Sequence, residues 1–262
     1  MGPFKDVGVE KAGHVALVEI RRPPHNFFDV TLIRELASAF EALDADPECR
    51  ALVLAAQGKA FCAGADFGGD DSDGSALLSG PMPGAAHLYI EGNRLFRTKK
   101  PIVAAVQGAA VGAGLGLALV ADFRIAAPDA RFTANFVKLG FHPGFGITYT
   151  LPRIVGQQRA ALLCLTGRRI KADEALAWGL VDEIAPLETL REAALKLAQE
   201  IAENAPLAVQ STRTTLRWGL AEAVKAQTDH EFAEQNTLRK TKDYAEGVRA
   251  VAERRPGNFT GT

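Results

Sequence analysis

Residues 101–122 read PIVAAVQGAAVGAGLGLALVAD, and this stretch decides the fold class. Residues 102–106 form a short apolar run between Pro101 and Gln107, as expected of a strand buried on both faces. A glycine-rich turn follows, then a short helix after Gly112, and residues 123–127 read as the next strand. Strand, turn, helix and strand in that order predict an α/β core. The rhythm persists upstream. Residues 14–20 alternate and are rich in Val and Ile, and 31–43 carry Leu32, Leu36, Phe40 and Leu43 at helical spacing behind a cap at Asp29 or Thr31. Residues 51–55 read as another buried strand and 87–96 as a helix.

Between these last two, residues 68–84 (GGDDSDGSALLSGPMPG) lose all period and read as a long loop. Asp70, Asp71 and Asp73 lack the spacing and the twelfth-position glutamate of a calcium loop, so no metal is expected. From about residue 157 the chain turns mainly helical, with long amphipathic stretches at 188–203 and 221–238. Leu190, Ala194, Leu197 and Ile201 put an apolar stripe on the first of these, fit either for the chain's own core or for a second subunit. No internal repeat of fixed period is visible.

The 262 residues are 47% hydrophobic, enough for a sizeable core, and 30 Lys and Arg balance 31 Asp and Glu. That near-neutral balance argues against nucleic acid or a membrane surface as partner. No apolar run approaches the length of a membrane span, and the opening MGPFKDVGVEKAGH lacks the features of a secretory signal, so a cytoplasmic protein is expected. Asp6 stands where a myristoylation signal needs Ser or Thr. Cys49, Cys62 and Cys164 are odd in number and lack metal-type spacing, and read as ordinary thiols.

Two glycine-rich stretches each follow a strand, 58–67 (GKAFCAGADF) and 107–122. Backbone N–H groups exposed in such turns, or at the start of a helix, bind developing negative charge. The same glycines also serve tight turns and close packing without any ligand. A dinucleotide fingerprint fits Gly112, Gly114 and Gly116 poorly: Leu117 falls near the place of the final small residue, the helix is too short and no acidic residue ends the next strand at the expected place. No Walker-type phosphate loop is present.

FCAGAD (61–66) followed by 101–122 resembles the enoyl-CoA hydratase/isomerase family, the crotonase superfamily. Further matching motifs are RPPHNFFD (22–29), KLGFHPGFGITYTLPRIVG (138–156), LTGRRIKADEALAWGLVDEI (165–184) and VAERRPGNF (251–259). The resemblance implies an α/β fold, a crotonase-like spiral of ββα turns over residues 1–195, with a helical trimerisation region over 196–262. It implies a homotrimer or dimer of trimers, and an acyl-CoA thioester as ligand. No metal, nicotinamide or flavin is implied, because CoA arrives as part of the substrate. Two backbone N–H groups polarise the thioester carbonyl and stabilise an enolate in the family, and they map onto Ala65 and Ala113. Adenine contacts map onto Ala63, Asp66 and Phe67, and Arg254, Arg255 and Phe259 are expected near the nucleotide phosphate.

The chain departs from the family where proton transfer is done. The two hydratase glutamates fall on Gly116 and Phe136, and the carboxylate of the Pro-Gly loop falls on Gly144; none of these moves a proton. Ordinary hydration is therefore disfavoured, since each acid/base group contributes about 10²- to 10⁴-fold. Tyr89, matching a pocket histidine of dehalogenase relatives, and His142 are the substitutes considered as catalytic groups, with Asn135 as a polar group orienting water or a carbonyl. Gly116 and Phe136 suggest a roomier, more apolar acyl pocket. Two functions follow: an isomerase or atypical hydratase/lyase working through an enolate, or a CoA-thioester-binding homologue without efficient catalysis.

Overall fold

The computed structural model describes residues 4–64 and 88–262. The strands β1 (Val7–Ala12) and β2 (Val15–Ile20) make an antiparallel hairpin, and α1 (Val30–Ala45) follows, capped by the Asp29 carboxylate on the Leu32 N–H at 2.8 Å. A unit of two strands and a helix is then repeated. Its successive copies are β3 (Ala51–Ala56), β4 (Ala60–Cys62) and α2 (Leu88–Phe96); then β5 (Ile102–Val106), β6 (Ala109–Val111) and α3 (Ala113–Ala118). The third comprises β7 (Phe123–Ala126), β8 (Arg131–Thr133), a 3₁₀ segment at Asn135–Leu139 and α4 (Ile147–Val155). Next come α5 (Gln157–Thr166), β9 (Arg169–Lys171), α6 (Ala172–Ala177) and β10 (Glu183–Ile184).

The first strand of each unit enters a six-stranded sheet of order β1-β2-β3-β5-β7-β10, and the second a four-stranded sheet of order β4-β6-β8-β9. Each turn of the chain thus advances both sheets by one strand, which is the spiral that the family resemblance implies. Pairing is parallel except in the opening hairpin and between β8 and β9. The period of two along each strand sorts the core. Leu52, Leu54, Ile102, Ala104 and Val106 face the main core, while Val53, Ala55, Val103, Ala105 and Ile125 face α7 (Leu190–Ala202) on the other side of the sheet. The apolar stripe of α7 therefore packs on the chain's own sheet, through Leu190, Ala194, Ala198 and Ala202, with Leu197 and Ile201 at its margin. The division drawn at 195/196 falls inside this helix.

Three helices complete the chain: α8 (Pro206–Leu216), α9 (Leu220–Leu238) and α10 (Lys242–Ala252). No helix of the described residues is long and apolar enough to cross a membrane. A half-buried carboxylate ties α8 to the sheets. Asp122 accepts from the Ile102 N–H and Arg213 Nε at 2.8 Å each, and from Arg217 Nη1 at 2.9 Å. Burial alone raises the pKa of this group, yet the two guanidiniums outweigh it and hold the carboxyl below its usual range. Its contribution is present above the ordinary carboxylate pKa and is lost as pH falls through the lowered one. Asp122→Ala strands two mostly buried cations, so urea denaturation at pH 7 is expected to show a loss of about 3–5 kcal/mol. That deficit shrinks in strong acid.

Candidate active site

The end of β4 runs beside residues 25–28, with the Ala63 N–H donating to the His25 carbonyl at 2.9 Å and the Phe28 N–H to the Gly64 carbonyl at 2.8 Å. The first turn of α3 presses against the same strand, because a Cβ on Gly114 would collide with the Cys62 carbonyl. Gly112 adopts φ +54, open to glycine, and its N–H donates to the Thr133 carbonyl at 2.9 Å. The first N–H to bond back within α3 is that of Gly116, to Gly112 O at 3.2 Å, so the N–H groups of residues 113–115 precede the helix's own ladder.

These elements bound a cavity of about 360 Å³. Phe27, Phe28, Leu88, Val111, Phe136, Leu139 and Phe141 make it apolar, and Tyr89, Asn135, Arg169, Gln235, Arg239 and Tyr244 are its polar lining. No carboxylate lines it among the described residues. Of the residues singled out from sequence, Ala63, Tyr89, Ala113, Asn135 and Phe136 come together here. Ala65, Asp66 and Phe67 lie outside the described residues.

The other described residues singled out from sequence do not line this cavity. Gly116 does not widen the cavity: a Cβ there would stand 2.8 Å from Phe145 Cδ1 and 3.3 Å from Ile147 Cγ1, so the Phe145 ring already fills the space. His142 is directed elsewhere, its Nδ1 on the Pro143 carbonyl at 2.7 Å and its ring against His230. Arg255 is held by Glu246 and Glu253, Phe259 lines a separate cleft with Asp243, and neither they nor Arg254 line the cavity. The helical region expected to serve assembly also contributes to the cavity, through Gln235 of α9, the adjacent Arg239, and Tyr244 and Val251 of α10.

Three residues of this environment escaped the sequence reading. Phe145 adopts φ +61 and is wedged between α2 and α3, where a Cβ on Gly92 would come within 2.5 Å of its Cε2. Gln235 is buried, takes the Tyr89 hydroxyl on Oε1 at 2.7 Å and donates from Nε2 to the His142 carbonyl at 2.9 Å. Glu231, one turn before it, is fully buried and accepts from the Gly146 N–H at 2.7 Å, the Thr148 N–H at 3.1 Å and the Thr148 hydroxyl at 2.5 Å. The signal was the spacing of Val224, Thr228, Glu231 and Gln235, which puts polar groups on the buried face of a helix.

The family described as enoyl-CoA hydratase/isomerase has a sequence model that matches residues 10–262. The chain belongs to the enoyl-CoA hydratase/isomerase family. It is 33% identical to the 1,2-epoxyphenylacetyl-CoA isomerase of Escherichia coli (strain K12) over 260 residues, 97% of each chain. It is 34% identical to the (E)-benzylidenesuccinyl-CoA hydratase of Thauera aromatica over 263 residues, covering 97% of this chain and 99% of that one. The crystal structure of an enoyl-CoA hydratase/isomerase from Pseudoalteromonas atlantica T6c superposes with a TM-score of 0.88 at 31% identity, covering 98% of this chain and 100% of that one. The crotonase fold and an acyl-CoA enzyme family are thereby established, and the hydratases and isomerases among these relatives share one scaffold.

Burial pushes the Tyr89 phenol well above its ordinary pKa, reinforced by the nearby Glu231 carboxylate, so the hydroxyl keeps its proton at neutral pH. Burial also raises Glu231 to about 7, against the three hydrogen bonds that favour its charged form. The folded state then binds a proton that the unfolded chain has released. This contribution is full below the ordinary glutamate pKa and is lost as pH rises through about 7. Measured by denaturant titration, the stability of the natural protein relative to Glu231→Gln is expected to fall between about pH 5 and 8.

Proposed function

We propose that the protein binds a bulky or cyclic acyl-CoA, stabilises its thioester enolate and shifts a double bond without adding water. The observation carrying this reading is the cavity wall. Of the two positions where the family resemblance places hydration carboxylates, Phe136 puts its ring on the cavity wall, and Gly116, which does not line the cavity, leaves its space to the Phe145 ring. Adding water across a double bond needs a proton taken from water and one delivered to carbon. An isomerisation removes one proton from the acyl chain and returns one to another carbon, with no change of mass. The aromatic acyl groups in the names of the Escherichia coli and Thauera relatives support a ligand of that size and character.

In this reading the thioester oxygen accepts from the Ala113 N–H at the start of α3 and from that of Ala65. Negative charge grows on that oxygen as the α-proton passes to a base, which no carboxylate among the described residues of the cavity supplies, so the donors act mainly on the transition state, each contributing about 2.7–4 kcal/mol. Both are main-chain groups, so alanine serves as well as glycine. Ala63, Asp66 and Phe67 would hold the adenine end of CoA, and no separate cofactor is called for. Tyr89 holds a proton beside the acyl group. Copies of the chain would assemble as a homotrimer or dimer of trimers, using exposed apolar side chains such as Leu207, Leu216 and Trp218.

The deciding experiment is mass spectrometry of saturated, 2-enoyl, 3-enoyl and cyclic acyl-CoAs after incubation with the protein in D₂O. Deuterium incorporation without gain of D₂O, strongest for the bulky or cyclic members, is the expected result. Addition of D₂O would replace this reading with atypical hydration, and thioester binding with neither change would make the protein a binding homologue. Tyr89→Phe is expected to lower turnover by about 10²- to 10⁴-fold. His142→Ala, which keeps the backbone carbonyl, leaves turnover unchanged. Sedimentation velocity tests the assembly: Trp218→Glu is expected to shift the protein toward smaller species.

A further inference from the structure

We infer that Gln235 is a positioning residue that fixes the direction of the Tyr89 hydroxyl proton at the acyl cavity. The inference rests on the reading that this cavity receives an acyl-CoA. A backbone carbonyl only accepts hydrogen bonds, so the end of the Gln235 side chain that faces the His142 carbonyl, at 2.9 Å, is the NH₂ end. The amide oxygen must then face Tyr89, and at 2.7 Å Tyr89 is the donor. The usual ambiguity of an amide flip and of a hydroxyl rotor is removed in one step. A backbone hydrogen bond from Phe145 reaches the same phenol oxygen.

The surroundings hold this chain of bonds rigid. Gln235 is 1% exposed. A Cβ on Gly144 would collide with the Tyr89 hydroxyl and stand 2.5 Å from Gln235 Nε2, so the pair occupies the space that a side chain on the Pro-Gly loop would need. One turn earlier on α9, Glu231 clamps Gly146 and Thr148, and thus the loop that supplies both the His142 carbonyl and the Phe145 N–H. In the structure the Tyr89 proton is directed at Gln235 Oε1. A helix that the sequence assigned to assembly therefore sets the polarity of the site.

The test is a double-mutant cycle of Tyr89→Phe and Gln235→Met, with Gln235→Glu as the conservative variant. Gln235→Met is expected to lower kcat/KM by about 10²-fold, mostly in kcat, as misplacement of a reacting group does. The double variant should be no slower than Tyr89→Phe alone. A protonated glutamic acid reproduces both bonds of the amide, donating to His142 and accepting from Tyr89, whereas its carboxylate repels the His142 carbonyl. The activity of Gln235→Glu relative to the natural protein should therefore approach one in mild acid and fall as pH rises. Tyr89 on α2, His142 on the loop, Glu231 and Arg239 from the α9 side and Tyr244 on α10 surround this position in both proteins, and the ratio cancels their common titration. Independent, multiplying losses in the double variant, or a ratio flat with pH, overturn the inference. Thermal melts identify loss of folding, and if Gln235→Met does not fold the Gln235→Glu ratio decides. Should the natural protein bind acyl-CoA and turn none over, the enzymatic reading fails on its own. The same cycle is then read in acyl-CoA dissociation constants by calorimetry, where additivity overturns the inference and non-additivity upholds it.

Discussion

The ring of Phe145 occupies a slot that exists only because residues 92 and 116 carry no side chain, and the geometry of the cavity depends on that insertion. Three parts of the spiral meet on this ring: α2, which carries Tyr89; α3, which begins at Ala113; and the loop that carries Gly144. Phe28 meets it edge to face, with centroids 4.9 Å apart, and so fixes the segment beside β4 as well. Aromatic pairs in this arrangement are worth about 0.5–1.5 kcal/mol beyond their buried area. A left-handed backbone at a non-glycine residue costs about 1–3 kcal/mol. Removing a buried phenylalanine costs about 3–5 kcal/mol, so packing of the ring outweighs the backbone it requires.

Polar groups do the remaining positioning, and they do so from the helical C-terminal third. Asp122 fastens α8 beneath the sheets through Arg213 and Arg217, and Glu231 fastens α9 to the start of α4. The two carboxylates, Asp122 half-buried and Glu231 fully buried, have opposite titration. Asp122 faces two cations that overcome desolvation, whereas Glu231 faces only N–H and O–H dipoles, which do not. The first therefore stays an anion at neutral pH and holds structure, and the second changes charge near neutrality one turn before Gln235 on α9.

Four strands of the six-stranded sheet were legible in the sequence because they are apolar runs long enough to show a pattern, as in residues 51–55 and 102–106, whereas β1 and the two-residue β10 were not. The second sheet was not, since β4, β6 and β8 are three residues each and lie within glycine-rich turns where no period can develop. Ala113 and Phe136 were found through ordered motifs, and the cavity gathers them. Gly116 was misread because absence of a side chain in one segment says nothing about which distant ring fills the gap. Gln235 and Glu231 were missed for a related reason: polar residues on a long amphipathic helix read as solvent-facing until a loop about 90 residues earlier in the chain is seen to cover them.

In the proposed reading, a cavity without a carboxylate among its described residues and with the Phe136 ring on its wall has two effects that act in the same direction. Each missing acid/base group forfeits about 10²- to 10⁴-fold, which no apolar contact restores for a reaction that must activate water. An apolar cavity also lowers the local dielectric, and fixed N–H dipoles aimed at a developing oxyanion are worth more there than in water. A reaction limited by enolate formation gains from that change. One that adds water loses twice, because the water is both unactivated and poorly solvated. In the proposed reading, Phe136 on the wall and an oriented hydroxyl at Tyr89 favour moving a proton within the substrate over bringing a second reactant to it.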